Sequence, residues 1–128
     1  MKLRLLLVGI FAFSAACATA PRVREIMPHK AYRIVQGTDI LIIDVRTVEK
    51  DLAGHIELSL SVPVEQLASR PLDIPKDKNQ AILLVCDNGP RAKRGANILA
   101  DMGYTNIYAL VGGINSWRAS GHPVYKYN

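Results

Sequence analysis

Cysteine is scarce in this 128-residue chain, which holds two, Cys17 and Cys86. Cys17 falls in a leader-like segment. Once that segment is cleaved or Cys17 is lipidated, Cys86 has no intramolecular partner, which excludes a disulfide-stapled scaffold. Aromatic residues are few, at 6%, and no long basic run is interleaved with them, so nucleic-acid binding has no support. His29 and His122 lie in unrelated segments and no spacing suggests a metal site, so neither metal nor cofactor is expected. Internal repeats and low-complexity segments are also missing. The run without charge at residues 5–16 is twelve residues long, too short to cross a bilayer.

That run has the dimensions of a signal-peptide h-region. Lys2 and Arg4 precede it, and small residues follow at Ser14-Ala15-Ala16-Cys17-Ala18-Thr19-Ala20. Residues 1–20 are therefore expected to be an export signal, with the bacterial periplasm as destination. Two processing routes fit. Ala16-Cys17-Ala18 and Ala18-Thr19-Ala20 match the small-x-small pattern of ordinary cleavage, and Ser14-Ala15-Ala16-Cys17 resembles a lipobox ending at Cys17. In the second route Cys17 carries acyl chains that tether an aqueous domain to a membrane. Without residues 1–20 the net charge falls from +5 to +3, because Lys2 and Arg4 leave.

The remainder reads as one α/β domain at residues 27–124, after a linker at 21–26 and before a tail at 125–128. Ala31, Ile34 and Val35 have helical spacing ahead of Gly37. Ile40-Leu41-Ile42-Ile43 and Ala81-Ile82-Leu83-Leu84-Val85 are apolar on both faces, as central parallel strands are. Short helices are expected at 49–53 and 64–69, a short strand at 60–63, a last strand at 105–110, and a last helix carrying Ile114 and Trp117. Strand–helix alternation implies a mostly parallel sheet covered on both sides, with functional residues at the carboxyl ends of its strands. Asp44 and Arg46 close one such end, and Glu49 is a candidate partner for them.

The other decisive end is Cys86-Asp87-Asn88-Gly89-Pro90-Arg91, between the strand at 81–85 and a helix expected over 93–102. Backbone N–H groups converge where a strand gives way to a helix N-terminus. Together with the helix dipole they favour thiolate over thiol and bind anions. Cys86 is thus the candidate nucleophile. Asp87, Asn88, Gly89, Pro90 and Arg91 form the candidate anion-binding loop, in which Arg91 offers a fork of donors. Lys93 and Arg94 complete a local basic cluster. The competing reading of Cys86 is a buried inert thiol.

In order and spacing, Asp44-Val45-Arg46, Gly54-His55-Ile56, Cys86-x-x-Gly89-x-Arg91, Gly103-Tyr104 and Leu110-x-Gly112-Gly113-x-x-x-Trp117-x-x-x-Gly121-x-Pro123 resemble the rhodanese (sulfurtransferase) domain. The resemblance spans about residues 27–124 and extends to periplasmic single-domain members. It implies a three-layer α/β fold with a mostly parallel sheet of about five strands flanked by helices. It also implies transfer of a sulfane sulfur from thiosulfate or a persulfide, through a Cys86 persulfide, to cyanide, a thiol or a protein acceptor. Asp44 and Arg46 are then site supports.

The chain departs from the pattern in three places. Asp87, if it points inward, disfavours the thiolate and repels a dianionic donor; pointing outward, it would orient a cationic or thiol acceptor. Pro90 removes one N–H from the loop. Leu58 stands where many rhodaneses have Gly. The alternatives are a non-catalytic sulfur-carrier or docking module and a small cysteine phosphatase. Phosphatases use C-x5-R, whereas Cys86 and Arg91 here make C-x4-R, a tighter cradle.

Overall fold

A computed structural model of the protein describes residues 22–127. The expected export segment, with Cys17, lies outside the described residues. The described chain builds a five-stranded sheet, ordered β1-β5-β4-β2-β3, in which every pairing is parallel. The strands are β1 (Val23–Ile26), β2 (Leu41–Asp44), β3 (Leu60–Ser61), β4 (Ile82–Val85) and β5 (Ile107–Leu110). The helices are α1 (Pro28–Gly37), α2 (Val48–Ala53), α3 (Pro90–Asp101) and α4 (Gly113–Ala119). Two 3₁₀ segments, Val64–Ser69 and Pro71–Asp73, connect β3 towards β4.

β4 explains the layering. Its four residues are all buried, and their side chains alternate between two cores. Ile82 and Leu84, followed by Cys86, pack with Ala92, Ala96 and Leu99 of α3 and with Leu67. Leu83 and Val85 pack with Ala31 of α1 and with Ile114 and Trp117 of α4. A strand enclosed on both faces has no polar side to show, hence its unbroken apolar run. The register pairs Asp44 with Val85, so the ends of β2 and β4 deliver Arg46 and Cys86 at the same edge.

The fold departs from the sequence-based expectations at three places. Within the linker expected at residues 21–26, Val23–Ile26 form the edge strand β1, paired with β5 from Val23↔Ile107 to Ile26↔Leu110. Its Arg24 and Glu25 are exposed, as suits an edge. The tail is also tied down: Tyr125 and His55 exchange two backbone hydrogen bonds of 2.8 Å, and the Tyr127 ring stacks on His55 at 4.2 Å. Finally, α3 begins at Pro90 rather than at residue 93. Proline suits a first helical turn because the N–H it lacks has no intrahelical acceptor there.

Trp117 anchors the second core. It is fully buried, and its Nε1–H donates to the Pro123 carbonyl at 2.9 Å. Trp117→Ala should therefore cost about 3–5 kcal/mol, read as a lower urea midpoint, with Trp117→Phe losing less. An unchanged midpoint for the alanine variant would contradict this packing.

Candidate active site

β4 hands the chain to residues 86–89, and α3 takes it up at Pro90. Gly89 makes the turn with φ of 115°, a conformation that side-chain-bearing residues rarely adopt. The turn aims the Gly89 N–H at Cys86 Sγ, 3.0 Å away. Cys86 is only 1% exposed, yet it lines an open cleft of about 330 Å³ with Lys50, Asp87, Asn88, Pro90 and Arg91. The first intrahelical-type bond of α3 runs from Lys93 N–H to the Gly89 carbonyl. The N–H groups of Arg91 and Ala92 precede it and have no helical acceptor.

α4 holds the loop from the other side of the sheet. Ile114 N–H donates to the Cys86 carbonyl at 2.8 Å, and Asn115 N–H to the Asp87 carbonyl at 3.2 Å. Asn115 Nδ2 donates to Asn88 Oδ1 at 2.8 Å. These bonds need close approach at Gly113, where a Cβ would collide with the carbonyls of Cys86 and Asp87. A second cleft, about 310 Å³, lies across the loop between Asn88–Pro90 and the end of β5.

Asp87 points into a group of cations. Its carboxylate accepts from Lys50 Nζ and from Arg91 Nη2 at 2.8 Å, and lies 3.8 Å from Arg46 Nη1. Partial burial alone would raise its pKa, but Lys50, Arg46 and Arg91 outweigh burial and hold it below the usual carboxylate value. Arg91 therefore sits on Asp87 instead of standing open to an incoming anion. Lys93 and Arg94 turn away from Cys86, to Glu25 at 3.3 Å and Glu65 at 3.8 Å.

Behind Asp87, Arg46 is almost wholly buried. Its Nε donates to Asp44 at 3.0 Å and its Nη2 at 2.6 Å, and Nη2 also reaches the Gly54 carbonyl at 2.6 Å. Burial works against the guanidinium's charge, but Asp44, with Asp87 and Asp51 behind it, raises its pKa. Asp44 and the Gly54 carbonyl thus take the role offered to Glu49, which is exposed. Asp51 on α2 is buried beside this pair with Oδ1 unpartnered. Burial first, and then the Asp44 charge, raise its pKa, opposed by His55 and Arg46. His55 packs here with Nδ1 3.1 Å from the Asp51 carbonyl.

Cys86, Asp87, Asn88, Gly89, Pro90 and Arg91 are thus brought together with Arg46 and Asp44. Lys50, Asp51 and Asn115 join them without having been singled out from the sequence. Lys50 lies 37 residues before Asp87 and only the fold joins them. The one legible hint was Asp51, an acid four residues before His55.

The rhodanese-like domain family model matches residues 27–120. The chain belongs to the rhodanese-like family. A sulfurtransferase of Allochromatium vinosum is 30% identical over 92 residues, covering 72% of this chain and 84% of that protein. The thiosulfate sulfurtransferase GlpE of Coxiella burnetii is 29% identical over 105 residues, covering 82% and 95%. The crystal structure of a rhodanese-related protein from Thermoplasma volcanium superposes with a TM-score of 0.72 at 24% identity, covering 81% and 99%, and shows the shared fold. This rhodanese-like domain accordingly has sulfurtransferases as its named relatives.

Asp51 sets a pH prediction. A carboxyl whose folded pKa is raised is most favourable below its unfolded pKa and costs stability as pH rises through the folded value. Asp51→Asn, which keeps the shape without the charge, should raise the urea midpoint at pH 7 and give little gain near pH 3.5. A loss at pH 7, or an equal gain at both pH values, would be the contrary result.

Proposed function

We propose that this rhodanese-like domain transfers sulfane sulfur through a persulfide on Cys86. The observation that carries the reading is Cys86 Sγ, held by the Gly89 N–H at 3.0 Å ahead of α3 and lining a cleft rimmed by Lys50 and Arg91. The Cys86 thiolate attacks the outer sulfur of a donor, thiosulfate or a persulfide. A new S–S bond forms to Cys86 while the donor's own bond to that sulfur breaks, and its electron pair leaves with sulfite or with a thiolate. The product is a Cys86 persulfide anion. A thiolate or cyanide then attacks the outer sulfur; the S–S bond of the persulfide breaks, its electron pair goes to the inner sulfur, and Cys86 returns as thiolate. No step needs a general base or a metal, and the charge stays on sulfur, where N–H donors of the loop and α3 can meet it.

Export fits the same reading. The leader at residues 1–20 would deliver the domain to the periplasm, soluble or tethered through a lipidated Cys17.

The mature protein incubated with thiosulfate or a persulfide should gain the mass of one sulfur atom at Cys86. Cys86→Ser should neither gain it nor form thiocyanate from cyanide. An unmodified wild-type chain with both donors would overturn the proposal. Labelled palmitate should enter the wild-type protein but not Cys17→Ala; an unlabelled wild type would argue for ordinary cleavage.

A further inference from the structure

We infer that Asp87 sets donor specificity: it occupies the cations that an anionic donor would need and tunes the Cys86 cleft for a monoanionic persulfide over dianionic thiosulfate. The inference rests on the sulfur-transfer reading for its chemistry.

Two cations line the cleft, Lys50 and Arg91, with Arg46 buried behind Asp87, and all three are engaged. Arg46 is committed to Asp44 through paired donors at 3.0 and 2.6 Å, and to the Gly54 carbonyl. The other two, Lys50 and Arg91, reach solvent at the cleft mouth, and both bind the same oxygen of Asp87, Oδ2. The carboxylate thus stands where the sulfonate end of thiosulfate would seek its partners. Asp87 follows Cys86 directly, and the Asn115 N–H bond to the Asp87 carbonyl fixes its backbone, so the acid cannot leave by a backbone swing without breaking that bond.

Charge balance points the same way. Arg46, Lys50 and Arg91 are countered by Asp44, Asp87 and the reacting Cys86 thiolate, with Asp51 behind Arg46 as a further acid, which leaves the site without surplus positive charge. A thiosulfate dianion entering there carries two uncompensated charges beside Asp87. A persulfide R–S–S⁻ brings one, and its leaving thiolate needs no sulfonate pocket. The balanced step is attack of Cys86–S⁻ on the terminal sulfur of R–S–S⁻. The R–S bond to that sulfur breaks, R–S⁻ departs with the electron pair, and Cys86–S–S⁻ remains.

Two measurements test this. The first needs no turnover: thiosulfate is titrated calorimetrically, at low salt, into Cys86→Ser and into Cys86→Ser combined with Asp87→Asn. Removing the Asp87 charge should tighten binding about tenfold, or about 1.4 kcal/mol, with the gain shrinking as salt rises. Equal or weaker binding overturns the inference. The second compares kcat/KM for thiosulfate and for the persulfide of 2-mercaptoethanol, in wild type and in Asp87→Asn. The thiosulfate-to-persulfide ratio should rise about tenfold, through KM for thiosulfate; an unmoved ratio overturns the inference. If neither chain ever loads sulfur on Cys86, the sulfur-transfer reading fails, and the titration still decides what Asp87 does to anion binding. Asp87→Ser supplies the same comparisons if Asp87→Asn does not fold.

Discussion

A guanidinium buried at the end of β2 must be neutralised, and the surroundings of the site follow from how that is done. Arg46 donates a fork of bonds to Asp44, two residues earlier, and one bond to the Gly54 carbonyl at the end of α2. That second bond fixes where α2 ends, and α2 in turn carries Lys50 to Asp87. Buried ion pairs often add little net stability, because desolvation offsets their attraction. What this one supplies is position: β2, α2 and the Cys86 loop are registered against one another by a charge that has nowhere else to go.

The elements that carry Cys86 were legible in the sequence because a strand buried on both faces can only be written as an apolar run, as at Ile82–Val85. The Cys86–Arg91 loop was legible from its place between that strand and a helix. β1 was not, because Val-Arg-Glu-Ile at an edge exposes its two charged residues and has no run or alternation to betray it. Its strand character comes from β5, 84 residues away along the chain at Val23↔Ile107. The early start of α3 was hidden by Pro90, which reads as a turn residue until its place in the first helical turn is seen. Lys50 and Asp51 escaped because a six-residue helix gives little periodicity. Their roles depend on partners that only folding supplies.

Family membership and local charge answer different questions. The shared motifs of the rhodanese-like domain account for the sheet, the loop and its cysteine, and the named relatives account for the kind of reaction. The residue after the cysteine is a matter of local charge. Here it is an acid bound by two cations at the cleft mouth.

The bonds from α4 to the loop have a further consequence in the orientation of peptide planes. Every described peptide is trans, so each carbonyl points opposite to the N–H of the next residue. With the carbonyls of Cys86 and Asp87 turned to α4 on one side of the sheet, the N–H groups of Asp87 and Asn88 are turned away from it. That is the side on which the Cys86 side chain packs, among the residues facing α3. The seam with α4 therefore sorts the loop's dipoles, turning their negative ends to α4 and their positive ends to the side of the sheet on which the sulfur lies. A field built this way is fixed when the chain folds and needs no rearrangement when charge arrives at the cysteine.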